Sequence, residues 1–376
     1  GDWSSDVCSS DLTHIKPTHG GVAFAGDLAV LYRANLHSRI ASRILLRLGN
    51  AGYRTEDDIY NLAARMPWSS YFTPEQTIKV EVTAIKCPLK SLEFITLRVN
   101  DAVCDYFRDL MDKRPSVDTA TPDVRIYAFL TEFDATIYID TSGEALFKRG
   151  WRMDKGRAPL RENLAAGLVM LSGWKPNQAL LDPMCGSGTI IIEAGLIAAN
   201  IPPGMNRGFA FEHYRGLDKP LWQKVKNDVK IDKTQRALYA SDISAYAVED
   251  IERNLQRAGL PFAVAFEQNN ALDVMPPAKS GVMICNPPYG ERIDVTTSSE
   301  TSVFFKQWAD HLKAHYAGWN AYILTSDRDT PKYMRLSASK KTPLFNGALD
   351  CRLFEFKMVA GSARKPKAHA PVDEAQ

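Results

Sequence analysis

The tetrad Asn286-Pro287-Pro288-Tyr289 carries the strongest chemical signal in the chain. The apolar run Val282-Met283-Ile284-Cys285 ends on a polar Asn and two prolines, which hold the backbone rigid and extended. The side-chain oxygen of Asn286 and the carbonyl of Pro287 can each accept one hydrogen from a planar NH₂ group, and Pro287 has no N–H to compete. An exocyclic amine on a base is a poor nucleophile because its lone pair is delocalised into the ring. Two acceptors that draw its hydrogens out of plane would localise that pair toward an electrophile opposite. Tyr289 offers a ring face for the base, and such stacking contributes about 1–3 kcal/mol. The plain alternative is a proline-rich turn over a buried tyrosine. Its position at a strand's C-terminal end argues otherwise, because open α/β sheets bind ligands there. Asn286, Pro287 and Tyr289 are therefore the candidate catalytic residues. No strong general base is required, since the amine's proton becomes acidic as the new bond forms.

A second constellation sits at Leu180-Leu181-Asp182-Pro183-Met184-Cys185-Gly186-Ser187-Gly188-Thr189, where a buried strand gives way to an apolar helix. Two glycines allow a sharp turn and a close approach to a ligand, with the helix N-terminus facing it. A bare G-x-G is usually just a tight turn. Here an acidic residue precedes it and Ile191 stands where a third glycine would be expected. A carboxylate at Asp182 would repel a pyrophosphate but suits a ligand bearing an ammonium group. The next strand ends at Ser241-Asp242, where a carboxylate can accept hydrogen bonds from both ribose hydroxyls. Asp242 follows Gly188 by 54 residues, whereas a dinucleotide site places its acidic residue about 20 residues on. Both features favour S-adenosylmethionine over NAD. A polar residue after the third strand should read the adenine amino group. Asn270 is nearest the strand, with Asp273 as the alternative.

The elements that must position these residues alternate as strand and helix from Ala179 onward. The strands are ALLDP, ALYASD, VAFEQ, GVMICNPP and AYILTSD, with helices at 189–199, 245–258 and 302–315. Such alternation predicts a parallel, doubly wound, Rossmann-like sheet. Asn346-Gly347 between two β-rich runs adds an antiparallel C-terminal hairpin at one edge. Upstream, residues 21–142 read as an α+β unit with strands near 78–84, 124–129 and 136–139 and a helix through Leu92, Val99, Val103, Phe107 and Leu110. Arg39, Arg43 and Arg47 recur every four residues among Ile40, Ile44, Leu45 and Leu48, which predicts an amphipathic helix with a guanidinium stripe.

The resulting organisation has five parts. Residues 1–12 are expected to be a non-native or disordered leader, 13–142 the α+β domain, 143–163 a basic connector, 164–362 the α/β domain and 363–376 a disordered tail. The connector holds Lys148, Arg149, Arg152, Lys155, Arg157 and Arg161, expected to touch phosphate. Its helix partner would start at Glu162. Net charge over the 376 residues is only +2, so any nucleic-acid surface must be local. Six cysteines lie far apart without a C-x-x-C pair, which excludes common zinc spacings and argues against a disulfide framework. No apolar run is long enough for a membrane span and no signal-peptide core is visible; the expected compartment is the cytoplasm, with neither membrane nor metal involved.

With DPMCGSGT, SDIS and NPPYGER in this order, the chain resembles class I amino-methyltransferases. The α+β unit, the connector and GRAPLRENLAAGLVMLSGW before the glycine turn make it similar to THUMP-domain RNA methyltransferases, the guanine-N2 enzymes of bacterial 23S ribosomal RNA above all. The resemblance covers roughly residues 21–362. It implies a ferredoxin-like/THUMP domain followed by a methyltransferase domain. The cofactor would be S-adenosylmethionine, held by Asp182, Cys185, Gly186, Gly188, Asp242 and Asn270, with the amine clamp at Asn286, Pro287 and Tyr289. The family commonly has Asp where Asn270 stands. It also implies RNA contact through the THUMP region, for which the residues offer Arg39, Arg43, Arg47, Arg149, Arg152, Lys155 and Arg157. A solvated helix face is the competing account of the arginine stripe. Some relatives carry a second methyltransferase module; one activity is expected here. The implied reaction is N2-methylation of a guanine in 23S ribosomal RNA or a large-subunit precursor. Adenine-N6 or protein-glutamine methylation, and a non-catalytic RNA-binding assembly factor, are the alternatives.

Overall fold

A computed structural model describes residues 12–18, 20–152, 160–287 and 298–359, with 298–300 described by backbone alone. The expectations placed on 1–11, Lys155, Arg157, Tyr289 and the tail from 360 lie outside these residues. The chain divides into two compact units: residues 1–154 with 200–232, and residues 155–199 with 233–376.

In the first unit, β1 (Thr13–Thr18) and β2 (Gly21–Ala25) form an antiparallel pair, followed by α1 (Leu28–His37). Asp27 starts α1 by accepting the Val30 N–H at 2.8 Å, the preferred way to satisfy an otherwise unpaired first-turn donor. A four-stranded sheet has the order β3-β6-β5-β4, built from β3 (Leu45–Gly52), β4 (Ile78–Ala84), β5 (Val124–Leu130) and β6 (Asp134–Asp140). Its helices are α2 (Glu56–Ala64) and α3 (Leu92–Met111). A reciprocal pair of bonds between Thr55 and Asp58 fixes the start of α2. Val124, Ile126, Ala128 and Leu130 alternate inward along β5 and share one core with Ile95, Val99, Val103 and Phe107 of α3.

The helix expected through Arg39 and Arg47 is absent. Residues 38–44 are irregular, and Leu45–Gly52 pairs as β3 with β6 through a register shift between Arg47 and Gly49. The run Ile44, Leu46, Leu48 has period two as well as the looser helical spacing. Ladder pairing with β6 decides between them, as tertiary context overrides a short ambiguous pattern.

The second unit opens with α4 (Glu162–Leu171), β7 (Ala179–Asp182) and α5 (Thr189–Ala198). The chain then returns to the first unit for 200–232, including α6 (Lys219–Asn227). Sequence patterning had placed that stretch within 164–362. What draws it back is aromatic: Phe209, Phe211 and Trp222 pack with Tyr32 of α1, Tyr32 and Phe211 stacked at 4.7 Å.

The second unit resumes with β8 (Leu238–Asp242), α7 (Ala245–Ala258), β9 (Ala265–Gln268), β10 (Gly281–Cys285), α8 (Ser298–His315), β11 (Trp319–Thr325), α9 (Thr330–Met334), β12 (Lys340–Asn346) and β13 (Leu349–Lys357). Strand order is β12-β13-β11-β10-β7-β8-β9. The five from β9 to β11 are parallel, and β13 runs antiparallel to β11. Gly347, at φ +66°, opens the two-residue turn joining β12 to β13, a conformation that glycine adopts without penalty. Side chains alternate across the sheet. Leu180, Val282, Ile284 and Leu324 pack with α4, α5 and α7, while Leu181, Met283, Cys285 and Ile323 pack with α8 and α9. The expected doubly wound α/β fold with an antiparallel edge hairpin is present. Among the described residues no helix is long and apolar enough to cross a membrane.

Candidate active site

Strand order reverses between β7 and β10: β8 and β9 follow β7 on one side, and β10 starts the other. Ligands in open α/β sheets bind outside the carboxyl ends of strands at such a switch point. Asp182 is the last residue of β7 and Asn286 the first beyond β10. Two residues more than 100 positions apart thus end neighbouring parallel strands.

Asp182 is almost wholly buried. Its Oδ1 accepts the Met184 N–H at 3.3 Å. Burial, and secondarily the charge of Asp242, hold its carboxyl well above the usual carboxylate range. A buried acid in this state is poised to receive a cation.

The glycines of the turn have separate duties. Gly186, at φ +51°, has nothing within 4 Å of where a Cβ would lie, so the space beside it stays open. Gly188, at φ +79°, leaves no room: a Cβ there would run into the Ile251 side chain of α7. Gly188 is the N-cap of α5, and no side chain caps that helix. The close approach expected for a ligand is thus available at Gly186, while at Gly188 it is used by the protein itself.

Asp242 ties the turn to β8. Its Oδ2 accepts the Gly186 N–H at 2.9 Å and its Oδ1 the Ser244 N–H at 3.0 Å; each carboxylate oxygen keeps a further lone pair. The Cys185 N–H reaches Ser241 O at 3.0 Å. The Cys185 thiol is buried in the core, and burial pushes it well up, so Cys185 lines the site through its backbone. Asn270 Oδ1 accepts the Leu272 N–H at 3.0 Å, and its carbonyl accepts from Asp273 and Val274. Asn270 therefore shapes the loop after β9, while Asp273 is exposed.

Asn286 Oδ1 is buried and has no hydrogen-bond partner among the described residues. Pro287 is buried beside it. An unsatisfied buried acceptor costs about 1–3 kcal/mol, which makes it a standing receptor for an N–H donor.

Sequence reasoning missed three residues. Asn254 of α7 is buried and donates to Ser187 O at 3.1 Å, fixing the middle of the glycine turn. Ile251 sets the packing limit at Gly188. Ile243, directly after Asp242, is 67% exposed; its carbonyl accepts from Gln268 at 3.0 Å. A lone Asn on the inner face of α7 and an apolar residue after a strand-end Asp were the available signals.

Residues 149–355 match the RMKL-like methyltransferase domain. The chain is 38% identical over 370 residues to a ribosomal RNA large subunit methyltransferase K/L of Shewanella sp. strain MR-4, covering 96% of this chain and 52% of that protein. It is 36% identical to a putative RNA methyltransferase of Synechocystis sp., covering 94% of each. The chain belongs to the RMKL-like methyltransferase family. It spans about half the length of the K/L relatives it matches. Residues 53–140 match the THUMP domain and 8–45 the RlmL ferredoxin-like domain. Among solved structures, a putative methyltransferase in complex with SAH is 29% identical at TM-score 0.79, covering 93% of this chain and 92% of that one. A possible methylase of Clostridium difficile 630 is 30% identical at TM-score 0.82, covering 93% of each.

In this RMKL-like chain, three of the six arginines expected to meet RNA, Arg39, Arg43 and Arg149, donate to groups of the first unit itself. Arg43 pairs with buried Asp140 and donates to Gly143 O. Arg39 donates to Ile201 O at 2.7 Å. Arg149 is 3% exposed and donates to Leu146 O at 2.5 Å and Arg39 O at 2.6 Å. Arg47 lies on β3 opposite Tyr138. The Arg152 guanidinium sits over the Trp151 ring at 5.1 Å. The expected stripe of Arg39, Arg43 and Arg47 on one helix face does not exist. Arg207, not singled out from sequence, donates to the carbonyls of Ser142, Glu144, Ala145 and Lys148 at 2.7–3.3 Å.

Proposed function

We propose that this chain transfers the methyl group of S-adenosylmethionine to the exocyclic N2 of a guanine in 23S ribosomal RNA. The observation that carries the reading is the buried Oδ1 of Asn286, without a hydrogen-bond partner among the described residues, across the switch point from Asp182. The residues present fit the cofactor. A buried carboxyl at Asp182 suits an ammonium, Asp242 retains acceptor capacity for ribose hydroxyls, and the space at Gly186 is open. Ile243 supplies an exposed apolar wall for the adenine, and the loop shaped by Asn270 supplies its polar edge. The cofactor brings an electrophilic sulfonium methyl.

Asn286 Oδ1 and the Pro287 carbonyl accept the two amine hydrogens and turn the nitrogen lone pair toward that methyl. With the cofactor bound there, the nitrogen would take its methyl with the sulfur as the leaving group, and the amine's extra proton would pass to water. Holding donor and acceptor in line supplies most of the acceleration. Tyr289, outside the described residues, is assigned the stacking role by its residue type. The THUMP match and the names of the relatives support RNA as the substrate.

Incubating the protein with labelled methyl donor and deproteinised ribosomal RNA should yield N2-methylguanosine by mass spectrometry. Asn286→Ala should slow transfer by about 10²–10³-fold, the cost of deleting one preorganised polar contact in an active site, while SAH still binds. A product of N6-methyladenosine would overturn the guanine assignment, and full activity of Asn286→Ala would overturn the clamp.

A further inference from the structure

We propose that the lysine-bearing face of α6, outside the THUMP match, is an RNA-backbone contact surface of the first unit; this rests on RNA being the substrate. The residues 53–140 that match THUMP carry fifteen Asp and Glu against ten Lys and Arg. A net acidic segment weakens the long-range attraction of a phosphate backbone, so cations elsewhere in the unit add to any local contact that it makes. Of the arginines on either side of it, Arg39, Arg43, Arg149 and Arg207 donate to backbone carbonyls of the protein itself, which leaves Arg47, exposed on β3, as a flanking guanidinium not used in this way.

Helix α6 is different. Leu221, Trp222 and Val225 turn its apolar side into the core, with Trp222 against Tyr32, Phe209 and Phe211. Trp222 Nε1 donates to Glu212 at 2.7 Å, and Asp218 caps the helix by accepting the Leu221 N–H at 2.9 Å. The helix is therefore held firmly, and its apolar face is not available to a membrane or a partner helix. Its outer side presents Lys219, Gln223, Lys224 and Asn227, with Lys226 over the Trp222 ring at 4.9 Å and Lys230 exposed three residues beyond the helix. The helix itself contains no carboxylate. None of these four lysines has an ion-pair partner among the described residues, in contrast to Lys79, Lys113, Lys148, Lys313, Lys332 and Lys357. Ammonium groups without ion pairs, carried on the outer side of a firmly held helix, are a form of charge that tracks a phosphate backbone without reading bases.

The test compares the wild-type chain with the triple variant Lys219→Gln, Lys224→Gln, Lys226→Gln and with its Lys→Arg counterpart. Ribosomal RNA binding is measured from low to moderate salt, and methyl transfer is measured on the same RNA. Each phosphate contact contributes about 0.7–0.9 to the log–log salt slope, so the Gln variant should lose about 2–3 from that slope, with a higher KM for RNA. The Arg variant should restore both, and thermal melting reports whether each variant is folded. A Gln variant with the wild-type slope while the wild type methylates RNA overturns this surface and leaves the proposed reaction standing. A lowered slope with no methylation by the wild type supports the surface and removes the reaction. A wild type that binds no RNA overturns both.

Discussion

Replacing Gly188 by Ala separates the two reasons a glycine can occupy the turn between β7 and α5. At φ +79° an alanine pays the left-handed penalty, about 1–2 kcal/mol. Its Cβ would also fall 2.7 Å from Ile251 Cδ1 and nearer still to Cγ1. Ile251 is fully buried, so α7 must shift or the side chain must leave its rotamer, at about 1–3 kcal/mol. Gly188→Ala should therefore destabilise the methyltransferase unit by about 2–5 kcal/mol. The clash has a named partner, so it can be relieved. Ile251→Ala alone leaves a cavity and costs about 2–5 kcal/mol. In the double variant the new methyl enters that cavity, and only the backbone penalty is added. The two single effects should then exceed the double effect by about 1–3 kcal/mol.

Gly186→Ala is the contrasting case. At φ +51°, with nothing near its Cβ, it should cost only the backbone term of about 1–2 kcal/mol. Its methyl would project into the space assigned to the cofactor, so the larger loss should appear in SAH affinity. Denaturant unfolding and calorimetric titration with SAH read the two effects separately. Additivity of Gly188→Ala and Ile251→Ala within about 0.5 kcal/mol would refute the packing argument, as would a Gly188→Ala variant that unfolds like wild type.

Two further outcomes follow from groups held away from water. Asp182 has its folded-state pKa raised above 3.8 by burial, so the fold favours its neutral form, and the stability this gives at low pH is lost as pH rises through the raised value. An ammonium ligand opposes that shift, so SAH binding should release a proton and tighten as pH climbs through the same range; calorimetry in two buffers of unlike ionisation heat should show the release in wild type, and its absence there would sink the assignment of Asp182 to the ammonium. Arg207→Ala should leave carbonyls of residues 142–148 without their donor at about 2–4 kcal/mol and expose that loop to protease, and Lys should not rescue because it lacks the planar fork; unchanged proteolysis would remove this role.

The α/β unit was legible because its rules are local and redundant. Helix α7 over 245–258 is announced by Ser244, which caps it, and ended by Gly259 in the left-handed conformation. The parallel strands read as short apolar runs ending in Asp182, Asp242 and Asn286, and the chemistry stands at those ends. The first unit was harder, since β3 offered a pattern compatible with both periods. The return of 200–232 to that unit depends on Phe209, Phe211 and Trp222 finding Tyr32, almost 180 positions earlier. No local pattern encodes such a partnership.

Arg39, Arg43 and Arg149 are drawn into the first unit's own hydrogen bonding for a physical reason. A guanidinium carries five donors in a fixed fork, and an irregular loop is a row of carbonyls with no ladder to satisfy them. Loop 141–149 shows the match: Arg43, Arg149 and Arg207 all donate into it. Within residues 143–163, Arg149 is used in this way, donating to Leu146 O inside the same loop. An ammonium is a compact, strongly hydrated point charge that satisfies several carbonyls less readily, so lysines left without an ion pair among the described residues on a firmly packed helix, even with Asp218 and Asp228 at its ends, are the better sign of charge held for a partner. On that criterion α6 outranks the arginines flanking the THUMP match as the place where the first unit meets a polyanion.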